Sequence, residues 1–96
     1  MSFVVKAPNQ RAIVFVNLAR AIDSACRMEQ AAVWDVEAQS IAATTHTEGD
    51  QVYLTRPING QLMQVNVALW HAREKGNVPL LKGDTALEQM GWEVVS

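Results

Sequence analysis

Asn9–Glu48, NQRAIVFVNLARAIDSACRMEQAAVWDVEAQSIAATTHTE, runs for about forty residues without a glycine or proline. All five glycines (Gly49, Gly60, Gly76, Gly83, Gly91) and two of the three prolines (Pro57, Pro79) come after it. Glycine and proline are the strongest local punctuators of structure. The alanine-rich first half is therefore free to form long helix, and the second half is cut into short pieces.

Within the run, Ala12-Ile13-Val14-Phe15-Val16 reads two ways. Its β-branched and aromatic residues suit a strand hairpinned onto residues 2–6 through Pro8-Asn9. Alternatively Asn9 caps a helix along which Phe15, Leu18, Ile22 and Cys26 recur at helical spacing. The second reading is favoured because the stripe passes into a segment, Leu18 to about Thr45, dominated by Ala, Gln, Glu, Arg and Met. The stripe changes sides, however. Asn17, Arg20, Ser24 and Arg27 form a polar face that continues, at 3.6 residues per turn, into Ala31, Trp34, Ala38 and Ile41. Either the helix breaks near Met28-Glu29-Gln30, or one long helix buries its second face against a partner.

Thr44–Asp50 is polar and ends in Gly-Asp, which predicts helix termination and a loop. Gln51–Arg56 is a short strand that Pro57 ends or places at a sheet edge. Asn59-Gly60 is a hairpin signal. Ile58, Leu62, Val65, Leu69 and Ala72 nevertheless recur at four- and three-residue steps, and the spacing predicts a helix over 61–75, stopped by Gly76. Val78–Leu81 is extended. Asp84 caps a short helix, Thr85–Met90, ended by Gly91, and Trp92–Val95 is a final strand. The expected fold is a single α+β domain over 1–96, mainly helical. It has a long N-terminal helix or helix pair, a third helix, a short C-terminal helix and two or three short strands.

Composition narrows the function. Of 96 residues, 49% are hydrophobic and only 19% charged, so a body this small is expected to leave apolar surface for a partner, most simply a second copy. A formal charge of -2 argues against a nucleic-acid footprint, which needs clustered Lys and Arg. One cysteine, Cys26, precludes an intramolecular disulfide, and its apolar neighbours point to a buried reduced thiol. No apolar run reaches the length of a membrane span, and the opening Met-Ser-Phe-Val-Val-Lys lacks a signal peptide's order, so a cytoplasmic location is expected.

Few constellations carry chemistry. His46, Glu48 and Asp50 lie close in sequence among Thr44, Thr45 and Thr47, and could in principle hold a hard cation or activate water. His71 lies apart, beside Trp70. Two-residue spacing in a loop does not make ligands converge, and the favoured reading is a solvated connection without metal or cofactor. Residues 76–85 have two glycines, a lysine and a threonine in the wrong order for a phosphate loop. Tryptophan is enriched at interfaces. Trp34, Ala38, Ile41 and Trp70 are accordingly the candidate contact residues, with Arg20 and Arg27 set against Glu29, Asp35 and Glu37 to orient two antiparallel copies of the helix. The expectation is a non-catalytic, self-associating protein, a homodimer in the simplest case. It would bind another macromolecule as an accessory or regulatory factor, without nucleic-acid or membrane partners. Two alternatives are a small-molecule domain with a tryptophan- and methionine-lined pocket served by His71 or Tyr53, and a metal-dependent enzyme using His46, Glu48 and Asp50.

Overall fold

A computed structural model of the chain describes residues 1–28, 30–70 and 91–95. It corrects the helical expectation: the chain is mainly β. Seven strands form one antiparallel sheet. They are β1 (Phe3–Lys6), β2 (Ile13–Phe15), β3 (Ala31–Asp35), β4 (Ser40–Glu48), β5 (Gln51–Ile58), β6 (Gln61–Asn66) and β7 (Glu93–Val94). Their order across the sheet is β2-β1-β3-β4-β5-β6-β7. One helix, α1 (Leu18–Cys26), connects β2 to β3 and packs on one face of the sheet.

The breaker-free run thus holds three strands, β2, β3 and β4, and the helix. Residues 13–15 form the strand that helical spacing outvoted, paired to β1 with Val4 opposite Val14. Asn9 does not cap a helix. It takes a positive φ of 62° in the β1–β2 turn, where Lys6 Nζ donates to the carbonyls of Ala7 and Gln10. The helix begins later, at Asn17, whose side chain accepts a hydrogen bond from the Arg20 N–H at 3.2 Å. Its stripe of Ala21, Ile22, Ala25 and Cys26 is buried.

The helix ends after Cys26, close to the suspected break, but the chain re-emerges as strand. Thr45 fixes this turn. Its buried hydroxyl accepts the Ala31 N–H at 3.0 Å and shares its own proton between the carbonyls of Ala25 (3.2 Å) and Met28 (3.3 Å). We expect Thr45→Val, which keeps the shape, to cost about 1–3 kcal/mol in urea denaturation because it leaves buried backbone groups unpaired. Thr45→Ser is expected to retain most of that stability.

Residues 31–43, expected to be helix, form strand and turn instead. Ala31 and Val33 point to the core, and Ala32 and Trp34 point away. The reversal between β3 and β4 uses no glycine. Gln39 adopts φ 53°, and the Asp35 carboxylate accepts the Ala38 N–H at 3.1 Å. Thr44–Glu48, expected as a loop, completes β4, with Gly49-Asp50 the only turn before β5 and Gly49 at φ 65°.

Pro57 does not stop β5. The register between β4 and β5 ends at Thr44 opposite Thr55, so the missing N–H of Pro57 faces no strand there. Asn59 (φ 53°) and Gly60 (φ 79°) then make the tight hairpin to β6, which corrects the helix expected over 61–75. Helix begins only at 67–70, where Asn66 Oδ1 caps Leu69 N–H at 3.2 Å. The final strand is present as β7, extended by a bond from Val95 N–H to the Leu62 carbonyl at 2.9 Å. Residues 71–75, Val78–Leu81 and Thr85–Met90 lie outside the described residues.

The core lies between the sheet and its helical layer: Phe3, Val5, Val33, Ala43, Leu54, Met63 and Val65 from the strands meet α1, Val67 and Trp92. Gly91 sits at φ 93°, and a Cβ there would lie 2.7 Å from Leu69 Cδ2. The sheet's other face has no helix on it among the described residues.

Candidate functional site

The sheet face opposite α1, which no described helix covers, is organised in rows that run across the strands. The first is apolar. Val14, Val4, Trp34 and Ile41 are successive cross-strand partners on β2, β1, β3 and β4. On the far side of β4, Pro57 pairs with Leu62, and Val95 bonds to Leu62. Several of these side chains are open to water: Val14 is 65% exposed, Trp34 39%, Ile41 46% and Leu62 51%. A bulge sets part of this geometry. Between Val33 and Trp34 the register slips by one residue, so that Ile41 rather than Ala42 becomes the partner of Trp34.

The second row is polar and spans six strands: Lys6, Ala32, Thr44, Thr55, Gln64 and Glu93. Its only charges are at the two ends. The third row is His46, Tyr53 and Asn66, in which the imidazole stacks on the phenol ring with centroids 5.5 Å apart. The solvated face of an antiparallel sheet is normally polar, as the second and third rows are. The first row departs from this in being apolar, and the interior of all three rows carries no charge.

The residues singled out from sequence divide accordingly. Trp34 and Ile41 become direct neighbours on this face, by strand pairing rather than helical spacing. Ala38 lies in the β3–β4 turn. Trp70 lies elsewhere, packed edge-on against Trp92 with centroids 6.4 Å apart. Pairing of two helices through Arg20, Arg27, Glu29, Asp35 and Glu37 is excluded, because Asp35 and Glu37 are not on the helix. Arg27 instead pairs with Asp23 one turn back at 3.1 Å. Glu37 accepts the Ser2 N–H at 2.9 Å and meets the Met1 amine at 3.4 Å, which hold its carboxyl below the ordinary value. Val4, Val14, Leu62 and Val95 were missed. Their alternation within short strands was the available signal.

His46 and Glu48 alternate along β4, with Asp50 in the following turn and His71 outside the described residues. Among the described residues no three His, Cys, Asp or Glu side chains converge as a metal site would require. His46 also borders a cleft of about 590 Å³ at one end of the sheet, lined by Ala7, Pro8, Gln10, Arg27, Met28, Gln30 and Thr47. Its described lining mixes five polar side chains with Ala7, Pro8 and Met28 and includes no tryptophan. Arg56, on the opposite face, keeps its Nε buried without a hydrogen-bond partner.

Cys26 is buried, and burial followed by the charge of Asp23 pushes its thiol up to about 11. The thiolate is the nucleophile, so alkylation at pH 8 is expected to be slow in the folded protein and fast after denaturation. The sign for stability follows from the raised value. The unfolded thiol ionises first, near 9.0, so stability is intact below that pH and falls as pH rises towards 11. Cys26→Ala is expected to flatten that part of a pH–stability profile measured in urea.

No protein-family model, curated protein or solved structure matches this chain. Among the described residues no helix is long and apolar enough to cross a membrane.

Proposed function

We propose that this protein is a non-catalytic module that self-associates through the sheet face opposite α1, which no described helix covers. The observation that carries this reading is the row Val14–Val4–Trp34–Ile41, contiguous, apolar and open to water on a face whose interior bears no charge. Contiguous apolar surface of this kind is costly to leave hydrated, and a second copy is the partner always available to cover it. Association would bury the sheet face, not the helix face that the sequence suggested. The helical layers of the two copies would then point outwards, free to meet another macromolecule in an accessory or regulatory role.

Tryptophan fluorescence on serial dilution tests this. Trp92 is buried and Trp70 half-buried in the single chain, whereas Trp34 is exposed. Association should therefore remove Trp34 selectively from water, and emission should move to longer wavelength as the protein is diluted. An emission maximum independent of concentration would count against the proposal.

The cleft beside His46 supports a second reading, binding of a small polar molecule by Gln10, Arg27, Gln30 and Thr47. A melting temperature raised by members of a panel of polar metabolites, and no longer raised in Gln30→Ala, would favour it.

A further inference from the structure

The three rows of the sheet face match their own copy in one orientation. We infer that the second copy packs face to face across a two-fold axis running along the strands, between β4 and β5. This rests on the self-association proposed above and adds its geometry.

Rotation about that axis reverses the order of strands but leaves each row at its own level. In the polar row, Thr44 then lies over Thr55 of the second copy, Ala32 over Gln64, and Lys6 over Glu93. The two charges that end the row meet as opposites, twice per dimer. Lys6 Nζ bonds to the Ala7 and Gln10 carbonyls, which leaves one of its three donors for a carboxylate. Glu93 is exposed and has no ion pair among the described residues. In the apolar row, Trp34 lies over Leu62, Ile41 over Pro57 and Val4 over Val95, so apolar meets apolar from β1 to β7, with Val14 on β2 at the rim beyond the overlap. In the third row His46 lies over Tyr53.

The other in-plane two-fold axis, across the strands, would set the apolar row against His46, Tyr53 and Asn66 and bury polar groups against hydrocarbon. Charge and hydropathy therefore choose the same axis. Aligned face-to-face packing is an established arrangement for twisted sheets, about 10 Å apart. Six strands at about 4.8 Å and three rows at about 7 Å give a flat area of roughly 500–600 Å² per copy. Both copies together reach about 1,000 Å², where specific interfaces begin.

Charge reversal tests the register. Lys6→Glu alone sets two glutamates against each other at both contacts, and Glu93→Lys alone sets two lysines. Each change should weaken the dimer about tenfold at low ionic strength, read by sedimentation equilibrium. An equimolar mixture of the two variants restores both contacts in the heterodimer, and so does the double variant. Either should return to within about twofold of the wild-type constant. Circular dichroism confirms folding of each variant. If the wild type dimerises but neither reversal weakens it, or mixing restores nothing, the register is overturned and self-association stands. A wild type that remains monomeric overturns both.

Discussion

Trp34→Lys is expected to convert the protein to a monomer while leaving its fold intact. Trp34 is at the centre of the apolar row, between Val4 and Ile41, and is 39% exposed in the single chain. In a dimer it would become the largest side chain withdrawn from water, and central tryptophans of this kind cost about 2–4 kcal/mol on truncation. A lysine adds a charge that must be desolvated or must hold the sheets apart. The dissociation constant should rise by on the order of 100-fold or more. Because Trp34 points away from the core, the unfolding free energy from urea denaturation, measured at concentrations where both proteins are monomeric, should stay within about 0.5 kcal/mol of the wild type. A variant that associates as tightly as the wild type would place the interface elsewhere.

Leu54→Ala is expected to have the opposite profile. Leu54 has no exposure and lies between Thr45 on β4 and Val65 on β6, under the helical layer. Truncation removes transfer energy and leaves a cavity in the middle of the sheet, at a cost of about 3 kcal/mol. In a domain of this size that lowers the melting temperature by roughly 12–24 °C. The urea slope should be unchanged, because the same surface is exposed on unfolding. A loss below about 1 kcal/mol would mean that Leu54 does not sit in a close-packed core. Together the two substitutions separate the sheet's faces: one carries folding, the other association.

How much of this was legible in the sequence depends on the segment. The helix core, Leu18 to Cys26, was readable because its apolar stripe and its helix formers agree. The strand Gln51–Arg56 and the final strand were readable from β-branched residues between breakers. The strands at 31–35 and 40–48 were not, because their alanines and the Glu37-Ala38-Gln39 segment between them raise helix propensity while packing decides otherwise. The reversal between them hid as well. Gln39 supplies the left-handed residue, and the Asp35 carboxylate supplies the hydrogen bond that glycine and asparagine usually advertise. At Asn59-Gly60 the hairpin signal was plain, but a coincidental four- and three-residue recurrence among strand and helix residues outweighed it.

The side-switch of the apolar stripe near Met28–Gln30 marked a real change in structure. Its cause is a change of period from 3.6 to 2. Trp34 and Ile41 were picked out on helical spacing, yet they meet through a bulged strand pair. The polar cluster His46, Glu48 and Asp50 looked like a loop site only because β4 was not recognised. Once residues 40–48 are extended, His46 stacks on Tyr53 and Glu48 reaches the end of the strand. Cross-strand register, which sequence alone does not provide, turns scattered Val, Trp, Ile and Leu residues into a surface.

Light scattering on the purified wild-type protein, from micromolar to millimolar concentration, tests the central claim most directly. The account predicts a mass that climbs with concentration to twice the 10.6 kDa of the chain and levels there. A mass that stays at 10.6 kDa across the whole range would contradict it.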